Sequence, residues 1–178
     1  MNIIALSEKE IKSSNIYSPI REKHVVISIS GSEDTETLIP NNINRLGTLF
    51  LKFDDVEDMN EKYIYFDRGQ AKEILQFIEK FCSQVSLIIV QCQAGLSRSV
   101  AVASALSKII NNSDDYIFTK GIPNMFVYTT ILDCFYSNPN WQTDYSRMAY
   151  LKTRAMCETL APATVRLYTS KEKKRLQV

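Results

Sequence analysis

The chain has 178 residues, with 21 Lys or Arg against 20 Asp or Glu, a formal charge of +1. That length suits one domain, and 45% hydrophobic with 23% charged residues suits a globular protein with a core. Near-neutrality gives no global drive toward nucleic acid or membrane. No run of about 18 apolar residues offers a transmembrane helix, and Met1 to Glu10 carries acids where a signal peptide would be basic and then apolar. A cytoplasmic location is therefore expected.

Asn2 to Leu6 is a short apolar start. His24 to Ser30 is β-branched and bounded by Gly31, which predicts a strand; the sole histidine, His24, opens it, and a structural or surface role is expected. Leu46 to Phe53 predicts another strand, running into the acids Asp54, Asp55, Glu57 and Asp58. Tyr63, Tyr65 and Phe66 read as packing, with the wall of a substrate cleft as the alternative. The clearest helix follows, with Asp67 as N-cap and Gln70 closing a capping box. Its apolar face is Ala71, Ile74, Leu75, Ile78, Phe81 and Cys82, which puts Cys82 in the core. Ser86 to Val90 is a short continuous apolar run, as a strand buried on both faces would be. Ser99 to Ile110 is apolar almost all round and reads as a central helix. A last helix is expected from Pro123, in the favoured first-turn position, to about Tyr136.

Strands and helices in alternation predict an α/β single domain, a central, mostly parallel sheet with helices on both faces. We place it at residues 1–140. The remainder, 141–178, holds eight Lys or Arg against three acids. There Tyr145, Met148, Leu151, Lys152 and Ala155 make a helical face stopped by Pro162, and Lys171 to Val178 is expected to fray. A solvated end is the preferred reading of this basic tail; steering of an anionic substrate, RNA or lipid headgroup is the other. Arg45 and Lys120 are further candidates for positive potential near a site. Cys82, Cys92, Cys134 and Cys157 lack the spacing of a zinc ribbon or disulfide framework, so neither is expected.

The informative segment is Val90 to Val100, VQCQAGLSRSV. A buried strand enters a short loop and the loop enters a buried helix, a junction that turns amides and the positive helix end toward one point. Cys92 there would be stabilised as a thiolate, an anionic nucleophile that needs no neighbouring base. Arg98 offers a planar fork for two phosphate oxygens. Gly95 lets the backbone turn, and Ser99 can hydrogen-bond the sulfur.

Cys92-Gln-Ala-Gly-Leu-Ser-Arg98-Ser99 resembles the signature loop of the protein tyrosine phosphatase superfamily, most closely its dual-specificity branch. The acid-bearing segment Phe50 to Asp55, the helix ending Gln76-Phe77-Ile78, and Pro123-Asn124 with Val127, Ile131-Leu132 and Phe135 resemble other parts of that family. The likeness spans about half the chain, from Leu46 to Phe135. It implies hydrolysis of a phosphorylated protein or other phosphomonoester in two steps, without metal. Cys92 forms a phosphocysteine, with the substrate phosphate held by Gln93, Ala94, Gly95, Leu96, Ser97, Arg98 and Ser99. An aspartic acid protonates the leaving oxygen and then activates water. The resemblance gives that role to Asp54 or Asp55. Asp55 is preferred, because the second acid serves in relatives with a similar Phe-Asp-Asp run, and Asp58 stands further off.

The family has histidine before the nucleophile, and Gln91 stands there. Glutamine hydrogen-bonds but carries no positive charge, so a slower enzyme, active at higher pH, is expected. The alternative is a catalytically weak pseudophosphatase that binds phosphorylated partners. A sulfur-transfer or arsenate-reducing enzyme would need a resolving cysteine beside Cys92; no neighbour in sequence supplies one, which leaves Cys82 or Cys134 brought near by the fold.

Overall fold

The computed structural model describes residues 1–57 and 61–137. In chain order the elements are β1 (Asn2–Ser7), α1 (Glu8–Lys12), β2 (His24–Ser30), β3 (Arg45–Lys52), α2 (Arg68–Phe81), β4 (Leu87–Cys92), α3 (Arg98–Asn111), α4 (Asp115–Phe118) and α5 (Met125–Tyr136). By its internal contacts the chain divides into Met1–Phe135 and Tyr136–Val178, and the sheet lies in the first unit. The expected basic extension, 141–178, lies outside the described residues.

The sheet has four strands in the order β1-β4-β2-β3, and every pairing is parallel. Both inner strands, β2 and β4, are buried along their whole length, which is why each reads as an unbroken apolar run instead of an alternation. Strand geometry sends successive side chains to opposite faces. On one face Leu6, Val26, Leu87 and Ile89 pack with Ile11 of α1, Tyr17 and Ile39. On the other, Phe77 and Phe81 of α2 lie against Gly47 of β3, where a Cβ would meet Phe81 at 2.9 Å. Helix α3 runs back along β4 and β1 and is buried from Arg98 to Ser107. Ala101, Ala103 and Ala105 supply the small side chains that let it pack so closely.

Capping sets the helix starts. At α2 the Asp67 carboxylate accepts from the Gln70 N–H at 2.8 Å, and Gln70 returns the bond to the Asp67 N–H, as its sequence predicted. A second capping box opens α1. Ser7 accepts from the Glu10 N–H, and the Glu10 carboxylate accepts from the Ser7 N–H at 2.7 Å. The Ser7 hydroxyl and N–H hold that carboxyl below its ordinary range.

Two expectations need correction. Cys82 is not in the core: it is exposed and forms the C-cap of α2; its N–H still bonds the Ile78 carbonyl at 2.8 Å, so helical geometry persists there, but the buried face of the helix ends at Ile78. Pro123 is not the first turn of α5. The helix starts at Met125, and Asn124 caps it by accepting from the Val127 N–H at 3.1 Å.

Candidate active site

In a parallel sheet the C-terminal strand ends share one edge, where loops converge into a crevice. Strand β4 reaches that edge at Cys92, so the cysteine is the last strand residue, and the loop Gln93 to Ser97 follows. Two loop carbonyls are tied outward: Gln93 accepts from the Glu8 N–H at 3.2 Å and Leu96 from the Ile122 N–H at 2.9 Å. The peptide bonds are all trans among the described residues, so each N–H opposes its own carbonyl. The Ala94 and Ser97 amides therefore point away from Glu8 and Ile122. Ser97 makes no side-chain cap on α3, which leaves the first amides of that helix open to an anion.

Gly95 makes this turn possible. Its φ is +72°, and a Cβ there would lie 2.5 Å from the Ser7 nitrogen and 2.9 Å from the Leu6 carbonyl carbon. The end of β1 therefore braces the loop from behind. Gly121 braces it from the front, since a Cβ there would lie 2.2 Å from the Leu96 oxygen.

Inside this frame the Cys92 thiol is buried, 3.2 Å from the Ser99 hydroxyl. Arg98 is only 6% exposed, and its Nη1 donates to the Phe53 carbonyl at 2.8 Å. Its Nε has no hydrogen-bond partner among the described residues. A buried donor left unpaired costs about 1–3 kcal/mol, a cost that an oxyanion in the loop would remove.

The two acids after β3 part company. Asp54 accepts from the Ser32 N–H at 2.9 Å, the Ser32 hydroxyl at 2.7 Å and the Ile64 N–H at 2.9 Å. Burial raises its carboxyl, but those bonds and the Arg98 charge outweigh it and hold the group below its ordinary range. Asp55 points to the loop instead. Its Oδ1 accepts from the Ser97 hydroxyl at 2.7 Å and the Asn124 amide at 3.0 Å. Asn124 also donates to the Val56 carbonyl, and Glu57 accepts from the Met125 N–H at 2.7 Å. The acid segment is thus fastened between the loop and the start of α5.

The fold has counterparts among solved structures. Human DUSP28 aligns with a TM-score of 0.52 at 13% sequence identity, over 74% of this chain and 90% of that one. The fold is that of a dual-specificity phosphatase. A human tyrosine phosphatase-like serine/threonine/tyrosine-interacting protein aligns at 0.51 with 16% identity, over 74% of this chain and 89% of that chain. No protein-family model and no curated protein matches the sequence.

Within this dual-specificity-phosphatase fold, Gln91 lies on the opposite face of β4 from Cys92. It is fully buried, its Nε2 is 2.5 Å from the hydroxyl of Ser28, its register partner on β2, and its Oε1 has no hydrogen-bond partner among the described residues. Glutamine therefore bears on the thiol through the strand, not by contact.

Other candidates sit elsewhere. Arg45 opens β3 and donates to the Ile39 and Pro40 carbonyls, seven residues or ~23 Å of strand from the acid-bearing end. Lys120 lies near the loop, its ammonium 4.2 Å from the centre of the Tyr116 ring. Phe66 is buried against Phe53, rings 4.8 Å apart, so it is packing. His24 is buried and structural, bonded through Nδ1 to the Glu22 carbonyl and through Nε2 to the Tyr17 hydroxyl. Asp58 lies outside the described residues.

Sequence reasoning missed Ser28 as the partner of Gln91, Asn124 as the partner of Asp55, and the support that Ser7, Glu8 and Gly121 give the loop. Ser7-x-x-Glu10 was a legible capping signal; the others depend on contacts between distant segments.

No helix among the described residues is long and apolar enough to cross a membrane.

Proposed function

We propose that this chain is a cysteine-dependent phosphomonoester hydrolase that works through a phosphocysteine. The observation that carries the reading is the convergence of Cys92, Arg98 and Asp55 on one loop at an uncapped helix N-terminus.

Substrate phosphate sits among the loop amides, with Arg98 answering its oxygens. Phe53 holds the guanidinium from behind, which orients the fork before substrate arrives. The Cys92 thiolate attacks phosphorus as the ester oxygen departs, and Asp55 gives that oxygen its proton. Both bonds to Asp55 fall on Oδ1, leaving Oδ2 to carry the proton. Asp54, held ionised by Ser32 and Ile64, anchors the segment and is unsuited to be the acid. Asp55 then takes a proton from water as its oxygen attacks phosphorus and the S–P bond breaks. Ser99 stabilises the departing thiolate with a hydrogen bond from its hydroxyl. A reaction that depends on a free thiol suits a reducing compartment such as the cytoplasm.

Turnover of a small aryl phosphate across pH, with reductant and chelator present, tests this in the wild type, Cys92→Ser, Arg98→Lys and Gln91→His. Activity lost in the first two variants, and improved at low pH in Gln91→His, supports the enzyme. Gln91, which supplies no positive charge where the family has histidine, favours a second reading, a pseudophosphatase that binds phosphorylated partners. Turnover in Gln91→His alone would establish it, and inactivity in both would remove the mechanism.

A further inference from the structure

Beside the phosphate loop stands a row of large apolar side chains in water: Leu96 at 55% exposure, Ile122 at 63%, Tyr116 at 69% and Met125 at 37%. They belong to the loop itself and to one strap, residues 116–125, which is fastened at several points. Ile122 donates its N–H to the Leu96 carbonyl, Lys120 lies over the Tyr116 ring, and Asn124 and Met125 bond to Asp55 and Glu57. The row is therefore held against the site. Apolar surface kept in water and fixed at the edge of a binding loop is surface a ligand can cover.

We infer that this lip selects phosphorylated peptides with an apolar residue next to the phosphorylated one, an inference that rests on the phosphatase reading above. With phosphate in the loop, the side chain of the phosphorylated residue fills the site and its Cα stands at the rim; the adjoining Cα is about 3.8 Å from that Cα, which presents its side chain to the rim where Leu96 and Ile122 are exposed. The charges favour a peptide over a lipid bilayer. Asp55 and Glu57 border the lip, and the segment from Gly31 to Asn44, joined to Asp54 through Ser32, carries Glu33, Asp34 and Glu36 with no Lys or Arg. An anionic membrane surface would be repelled there.

The test uses phosphotyrosyl and phosphothreonyl peptides bearing Leu, Ser, Lys or Glu at each flanking position. A small aryl phosphate and phosphatidylinositol-phosphate vesicles in phosphatidylcholine run beside them, with wild type and Ile122→Ser/Met125→Ser. Full burial of a leucine would favour binding by roughly 10–150-fold. A half-open lip should give wild type a preference of about 10-fold in kcat/KM for Leu over Ser. That preference should fall below about 2-fold in the variant, with aryl phosphate turnover unchanged. Equal rates for all peptides in wild type would overturn the inference, as would an equal loss on peptide and aryl phosphate in the variant. Vesicle lipid hydrolysed faster than any peptide, and dependent on the same two side chains, would overturn it in favour of a membrane substrate. If wild type does not hydrolyse the aryl phosphate, the enzyme reading has failed. The lip is then judged by Cys92→Ser binding the Leu-flanked peptide about 10-fold more tightly than the Ser-flanked one, and equal affinities would overturn it.

Discussion

Gly95→Ala puts a methyl group where two separate constraints forbid it. The backbone holds φ at +72°, a conformation that costs a residue with a Cβ about 1–2 kcal/mol. The new carbon would also lie 2.5 Å from the Ser7 nitrogen and 2.9 Å from the Leu6 carbonyl carbon. Both are backbone atoms of a strand held in register with β4 from Asn2 to Ser7, so they yield little, and overpacking of this kind costs about 1–3 kcal/mol. Together the expected destabilisation is about 2–5 kcal/mol by urea unfolding. Relaxation has to move the loop off β1, so kcat/KM for a small aryl phosphate should fall by at least ~10²-fold, as a misplacement near 1 Å does. Two matched variants isolate the causes. Gly121→Ala meets the Leu96 oxygen at 2.2 Å without a positive φ, and only the overpacking cost of about 1–3 kcal/mol applies. Gly69→Ala, in α2, meets a side-chain oxygen of Asp67 at 3.0 Å and gains helix propensity, so it should stay within about 1 kcal/mol of wild type. The reasoning is refuted if Gly95→Ala stays within about 1 kcal/mol of wild type with its turnover intact. Gly121→Ala costing as much as Gly95→Ala would remove the conformational part.

Asp55→Asn should lower kcat by about 10²–10⁴-fold on an alkyl phosphate, and less on a nitrophenyl phosphate that needs no proton on departure; equal losses on both would take the acid role from Asp55. Ser28→Ala leaves the buried Gln91 amide unsatisfied at about 1–3 kcal/mol, whereas Ser28→Ala/Gln91→Leu removes both polar partners and should regain most of that. Urea unfolding of the double-mutant cycle measures it, and additive costs would show that the two side chains do not interact. Burial holds the His24 imidazole below its ordinary 6.5, so the unfolded chain takes up the proton first as pH falls. Its share of stability is full above about 6.5 and is lost as pH drops through the folded value. The sole imidazole can be followed by NMR, and protonation at or above 6.5 in the folded protein would contradict the burial argument.

The local patterns were readable because neighbours in sequence produce them. The run from His24 to Ser30 is a strand at those residues, and Asp67 with Gln70 caps α2 as its spacing predicted. Strand β4 ran further than its apolar stretch indicated, to Cys92, because pairing with β1 continues through the polar Gln91. Cys82 misled for a related reason: helical spacing says which face a residue would take, but not how far along the helix that face is covered.

The sequence by itself determined the Cys92-to-Arg98 loop, with Gly95 at its turn, the buried strand before it and the buried helix after it. These properties arise within about ten consecutive residues, from backbone freedom and apolar patterning. Tertiary structure alone decided which acid faces the loop, since Asp54 and Asp55 are adjacent and chemically alike. Ser32, 22 positions before Asp54, takes one of them, and Ser97 and Asn124, 42 and 69 positions from Asp55, take the other. It also decided that Gln91 answers to Ser28, 63 positions away. Partners that far apart meet only once strand order and register are set, and those follow from how the whole apolar surface packs.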